Sequence, residues 1–465
     1  MLFSTPLFLY LFLAALMALY FIFRNNRWRR AVLVVFSLLF YAWGEPIYLF
    51  LMIGLVMIDY LFGMCIAERW GKPRNALVVL AVIFNLAILA FFTYQGFFLE
   101  NLNLLCGTSI EPLPFKMPIG ISFFTFQALS YVIDVYRSDV KPQKSFWRLL
   151  LYVSFFPQLI AGPIVRYKDI EASLEDRGVP PEEINEGLFR FSIGLVKKVL
   201  IADSCYTVLN AFLALEAPTV LGRWLAALVF TLQLYFDFSG YSDMAIGLGH
   251  IFGFTFLENF NYPLAANSAT DFWRRWHISL GSFFRDYVYI PLGGNRRKQY
   301  RNILIVWCLT GMWHGASWNF LLWGLYYGII LLIEKCFLLK FFNWLPGAIR
   351  AVVTHLYTLF ITVFGFAIFY FEKDLKLNLG YLFGKGTTAF SDLFTESLLV
   401  NNCVLIFGAF LLALPILSYI TKAIRERLSY THIRLFRTLG TLALLAIATI
   451  RMAGSSYSPF LYFRF

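Results

Sequence analysis

The stretch NALVVLAVIFNLAILAFFTYQGFF, residues 75–98, carries no charged side chain. A hydrocarbon core ~30 Å thick is crossed by about 20 apolar residues in a helix. At that depth the backbone must satisfy its own hydrogen bonds, so the stretch predicts a transmembrane helix. Comparable runs occupy residues 6–23, 119–136, 199–215, 221–238, 351–370, 404–420 and 439–450. Residues 31–67 are long enough for two crossings, interrupted at Gly44-Glu45-Pro46. The run at 147–165 contains Pro157, Gly162 and Pro163, which suits a re-entrant segment buried in protein. The expected class is an all-α polytopic membrane protein with about 9–11 transmembrane helices, plus re-entrant and interfacial ones. With 60% hydrophobic and 14% charged residues, against about 25% charged in soluble proteins, no long polar segment remains to fold separately. Residues 1–465 read as a single integral domain.

The formal net charge is +12. In a soluble chain that would point to nucleic acid. Here the excess follows from cytoplasmic loops enriched in Lys and Arg, so no nucleic-acid partner is expected. Basic clusters at residues 24–30, 69–74 and 137–148 fall on one side if the intervening runs cross as counted. The loop at 99–114 between two crossings has two acids and no base. The same counting puts the basic segment 422–437 in the cytoplasm and the C-terminus outside. The first apolar run has its arginines after it, not before, and reads as an uncleaved span. The six cysteines show no CxxC spacing, and neither a disulfide framework nor a metal site is expected. The segment 166–186, the most polar stretch, reads as a cytoplasmic surface loop.

Chemistry-bearing residues concentrate in residues 233–328. In CLTGMWHGASW, His314 lies between charge-free apolar flanks, with Gly311 and Gly315 four apart, so that a neighbouring helix can approach closely. Ionisable residues within membrane segments generally face a bundle interior or a watery cavity and are functional by default. Kept from water, an imidazole is neutral and can take up a proton; the structural alternative is a histidine bonded to a neighbouring helix. The stretch DFWRRWHISLGSFFRDYVY, residues 271–289, places its large apolar residues in one sector of a helix, with Arg274, Arg275 and Arg285 elsewhere. It reads as one amphipathic interfacial helix, with His277 at the edge of the stripe, either catalytic or packed against aromatics. The following PLGGNRRKQYR carries Arg296, Arg297, Lys298 and Arg301. These are topological charges or a cradle for a phosphate-bearing cosubstrate. In QLYFDFSGYSDMAIGLGHIFGF, Asp237 and Asp243 sit among small residues. Two carboxylates can be acid and base or cation ligands, but polar-core partners of hydroxyl and arginine groups are favoured. The tail SSYSPFLYFRF, residues 455–465, is too aromatic for a disordered end. It should dock on the protein, and Tyr462 is structural or a nucleophile.

Taken together, DFSGYSDMAIGLG, FWRRWHISLGSFFRDYVYIPLGG, GMWHGASW and the terminal FLYFRF resemble the membrane-bound O-acyltransferase (MBOAT) family, specifically its alginate O-acetyltransferase branch. The resemblance implies helices around a central tunnel where a cytoplasmic acyl donor meets an outside acceptor. It implies His314 as the catalytic histidine, His277 as its second signature residue and Tyr462 as an acyl relay. Asp237, Asp243, Arg274 and Arg275 are expected to form a supporting polar core. No permanently bound cofactor or metal is expected. Acetyl-CoA is the expected donor, with its phosphates facing Arg296, Arg297, Lys298 and Arg301. The expected partners are membrane lipids, an extracytoplasmic SGNH-type acetyltransferase and a polysaccharide as final acceptor. The expected location is the bacterial cytoplasmic membrane. Three other readings stay open: a polysaccharide or lipid transporter without acyl chemistry, D-alanyl transfer to teichoic acid, and a metal or haem protein using both histidines.

Overall fold

The computed structural model describes residues 1–174, 178–387, 389–454 and 460. All regular structure among them is helical. Among the described residues, seven helices are long and apolar enough to cross a membrane: Tyr48–Glu68, Lys72–Cys106, Val220–Ile251, Trp318–Trp344, Gly347–Tyr370, Leu393–Leu412 and Tyr430–Ala453. Leu7–Ile22 is a shorter apolar helix, and Asn26–Ala42, Ile121–Arg137 and Gln299–His314 have 17, 17 and 16 residues. The chain is an all-α polytopic membrane protein. Its backbone divides into two compact units, Met1–Ser192 with Tyr241–Leu257, and Ile193–Gly240 with Glu258–Phe465. Helix Val220–Ile251 contributes residues to both.

In the first unit, the rings of Phe3, Phe8, Phe40 and Phe156 form a nucleus with centroids 4.8 to 6.1 Å apart. Such pairs contribute about 0.5–1.5 kcal/mol each beyond the area they bury. The segment 147–165 is a buried, broken run: helix Phe146–Ser154, then the single turn Phe156–Leu159. Gln158 Nε2 donates to the Tyr152 carbonyl at 2.5 Å, and the Tyr152 hydroxyl donates to the Val165 carbonyl at 2.8 Å. Irregular backbone survives there because protein groups pair it. The polar stretch 166–186 is not the simple surface loop expected. Tyr167, Ile170 and Leu174 are buried, and Pro181 opens helix Pro181–Val196. Arg190 holds Asp243 at 2.8 Å. Gly247 packs on the Gly187 carbonyl, where a Cβ would come within 2.5 Å. Gly240, Gly247 and Gly249 thus lie within a helix and serve close packing, not a turn.

In the second unit, helices Gln299–His314 and Trp318–Ile333 form a tight hairpin. Gly311 and Gly324 face each other, with the Gly324 Cα 3.2 Å from where a Gly311 Cβ would stand. A Cβ on Gly311 would also strike the Phe320 carbonyl, and one on Gly324 the Trp307 carbonyl. Glycine is required at both. Trp273 fills the seam from outside, its ring 4.6 Å from Trp307, 5.5 Å from Trp323 and 4.8 Å from Tyr327.

Residues 271–289 are not a continuous amphipathic helix but Ala269–Arg275, a break, Ile278–Phe284 and the wider turn Arg285–Tyr289. His277 lies in the break with φ +46°. The reason is a neighbouring segment that takes over the helix's backbone groups. The Asn261 N–H donates to the Arg275 carbonyl at 2.9 Å, and the Ile278 N–H to the Asn259 carbonyl at 3.0 Å. Left-handed backbone at a histidine costs about 1 kcal/mol or more, which these bonds offset.

Candidate active site

The short helix Ala269–Arg275 is anchored at its start by Glu334, from the end of the hairpin's second arm. Glu334 is fully buried. Its carboxylate accepts from the Ala269 N–H at 2.5 Å, the Thr270 N–H at 2.9 Å and the Thr270 hydroxyl at 2.7 Å. A carboxylate at a helix N-terminus meets unsatisfied N–H groups and the favourable end of the dipole. Two residues after that helix ends comes His277, and the hairpin's first arm ends at His314. The Glu334 clamp therefore ties the segment bearing one histidine to the element bearing the other.

His277 is buried, and Asn259 sets its state. Asn259 Oδ1 accepts from the Ser279 N–H at 3.2 Å and the Ser279 hydroxyl at 2.8 Å. The backbone donor identifies that atom as the oxygen, so the His277 Nδ1 beside it, at 3.1 Å, must be the N–H partner. In the neutral ring the lone pair is then on Nε2. Nε2 is buried and has no hydrogen-bond partner among the described residues. The Phe238 ring meets His277 edge-on at 4.7 Å.

His314 is half-buried, the more accessible of the two. Its ring stands among Trp313 at 4.8 Å, Trp323 at 5.0 Å and Phe369 at 5.2 Å, each edge-on. Trp313 also lies 5.9 Å from His277, so the two imidazoles share one indole. Phe460, the described residue of the tail motif, is buried with its ring 6.3 Å from Phe238. Phe460 thus packs next to the ring that meets His277 edge-on. Tyr462 lies outside the described residues.

The remaining candidates separate. Asp237 is buried and pairs with Lys198 at 2.8 Å, and Lys198 pairs equally with Asp203. Asp243 bonds instead to Arg190, so the two carboxylates do not act as one pair. Arg275 bridges to Asp271 at 2.9 Å. Arg274 is exposed and belongs to no buried polar core. Arg296, Arg297 and Lys298 are exposed on the turn that precedes the His314 helix, and Arg301 is exposed in that helix's first turn. Asn302 fixes that turn through the Gly294 carbonyl at 3.1 Å and the Arg297 carbonyl at 2.7 Å. At 1.5 Å per residue the basic turn and His314 stand about 22 Å apart, at opposite ends of one helix.

Asn259, Lys198 and Glu334 were not singled out from the sequence. Glu334 had a readable signal, an acid closing an otherwise charge-free apolar run. Lys198 adjoins Lys197 and reads as ordinary surface charge, and nothing in the sequence around Asn259 marks it.

The described residues thus form an all-helical membrane protein in which a buried and a half-buried imidazole share one aromatic wall. The chain belongs to the membrane-bound O-acyltransferase (MBOAT) family, whose model matches residues 85–368, and it is an O-acyltransferase. Along its whole length it is 37% identical to the whole of "Probable alginate O-acetylase AlgI" of Pseudomonas putida. It is 34% identical to the peptidoglycan O-acetyltransferase of Helicobacter pylori, covering all of this chain and 98% of that one. The teichoic acid D-alanyltransferase of Bacillus subtilis is 32% identical over 54% of this chain and 68% of its own length.

Proposed function

We propose that this protein moves acetyl groups from cytoplasmic acetyl-CoA across the bacterial cytoplasmic membrane for O-acetylation of an extracytoplasmic polysaccharide. His314 is the base, His277 its partner and Tyr462 an intermediate acceptor. The observation that carries the reading is the half-buried His314 ring sharing Trp313 with a buried His277 whose Nε2 has no hydrogen-bond partner among the described residues. Relatives similar over their whole length are named for acetyl transfer to alginate and peptidoglycan, whereas the D-alanyl relative covers half of this chain. This favours acetyl over D-alanyl.

The chemistry balances with these groups. The hydroxyl oxygen attacks the thioester carbonyl while its proton passes to the imidazole. The C–S bond breaks, an O-acetyl ester forms, and the imidazolium returns the proton to the leaving thiolate. General-base help of this kind contributes about 10²–10⁴-fold. Arg296, Arg297, Lys298 and Arg301 are suited to a multiply charged phosphate donor, leaving its thioester arm to run along the His314 helix. The phenol of Tyr462 takes the acetyl group first and passes it to an outside hydroxyl, on the polysaccharide or on an SGNH-type partner enzyme.

Mass spectrometry of the purified protein after incubation with labelled acetyl-CoA tests this directly. The reading expects an acetyl ester on Tyr462 that disappears in Tyr462→Phe. Acetylated glycan without any acetyl-Tyr462 would remove the relay, and absence of label from protein and glycan alike would remove the donor.

A further inference from the structure

Two basic segments far apart in the sequence converge in the first unit on one cavity of about 690 Å³. Arg27 and Arg30 come from the start of helix Asn26–Ala42, and Lys144 and Arg148 from the entry to helix Phe146–Ser154. Positive-inside bias explains why each segment is basic, but not why the two enclose a shared space. No residue lining that space is acidic. One wall is apolar: Val34 continues the helix face of Arg27 and Arg30, while Val35 and Trp147 are 52% and 64% exposed. The rim is preformed. The Gln143 N–H donates to the Tyr131 hydroxyl at 3.1 Å, Gln143 Nε2 to the Tyr167 hydroxyl at 3.0 Å, and the Tyr60 hydroxyl to the Lys144 carbonyl at 3.1 Å.

We propose that this cavity binds an anionic glycerophospholipid, its phosphate among Arg27, Arg30, Lys144 and Arg148 and an acyl chain along Val34, Val35 and Trp147. Charge alone would serve any phosphate. The apolar wall with an exposed tryptophan selects one that carries hydrocarbon, and basic pockets between membrane helices recognise anionic headgroups. The volume falls within the range of small-molecule sites and suits the headgroup and the start of one acyl chain. The site is independent of the acyl-transfer reading, and its test needs no activity measurement.

The full chain, purified in detergent, is given equal phosphatidylglycerol and phosphatidylcholine, and retained lipid is read by native mass spectrometry. Phosphatidylglycerol should be retained preferentially. Arg27→Gln combined with Arg148→Gln should weaken it by about thirtyfold, at about a factor of five per charge. Trp147→Ala, which keeps all four cations, should also weaken it. Equal retention of the two lipids, or no change in either variant of intact thermal stability, would overturn the site. Displacement of phosphatidylglycerol by inorganic phosphate or CoA at equal concentration would show a free-phosphate site and overturn the lipid assignment.

Discussion

His277 and His314 both pack against one indole, Trp313, with centroids 5.9 and 4.8 Å away. The buried ring is fixed in one tautomer by Asn259, while the other ring is half-buried.

Asn259 should matter through His277. Asn259→Ala leaves the Ser279 N–H and hydroxyl and the His277 Nδ1–H without their acceptor, which costs about 1–3 kcal/mol. Acetyl transfer should fall by about 10²-fold from the loosened ring. Thermal unfolding and an initial-rate assay on the same preparation separate the two effects. An unchanged rate would mean that the tautomer of His277 is irrelevant.

Glu334 is expected to act as a positioning residue. Glu334→Gln keeps one acceptor oxygen for the N-terminus of helix Ala269–Arg275, and Glu334→Ala keeps none. Turnover should fall in the order wild type, Gln, Ala, as the helix that leads into His277 loses its anchor. A raised KM with unchanged turnover in Glu334→Ala would contradict the assignment.

Lys198→Met should destabilise the protein by about 3–5 kcal/mol, since it leaves Asp203 and Asp237 without the cation between them. Lys198→Met combined with Asp237→Leu should recover much of that loss. Unfolding temperatures in detergent read both, and additive losses would show that the pair is not coupled.

Gly311→Val should separate the hairpin, because a side chain there meets the Phe320 carbonyl and Gly324 backbone. Overpacking costs about 1–3 kcal/mol, and His314, one turn on, should lose activity out of proportion to stability. Gly281→Ala, where no atom lies within 4 Å of the new Cβ, is the control and should be silent.

Much of this was legible in the residue order. Charge-free runs named the long helices, Gly311 announced the close approach in the hairpin, and the Pro157–Pro163 interruption marked the buried broken segment. The break at His277 was not legible, because residues 271–289 have clean helical periodicity. The bonds from Asn259 and Asn261 that defeat it come from a segment with no pattern of its own. Glu334 and Lys198 escaped for the same reason, since their partners lie 65 and 39 positions away. Periodicity reports a residue's own helix, not the distant group that completes it.

In the proposed mechanism His314 removes the proton from the acceptor hydroxyl. The most direct measurement is transfer of labelled acetyl from acetyl-CoA to protein and glycan by His314→Ala reconstituted in vesicles, beside wild type at matched unfolding temperature. Transfer should fall by about 10²–10⁴-fold or below detection, with acetyl-CoA binding retained. Wild-type transfer by a folded His314→Ala protein would contradict the mechanism.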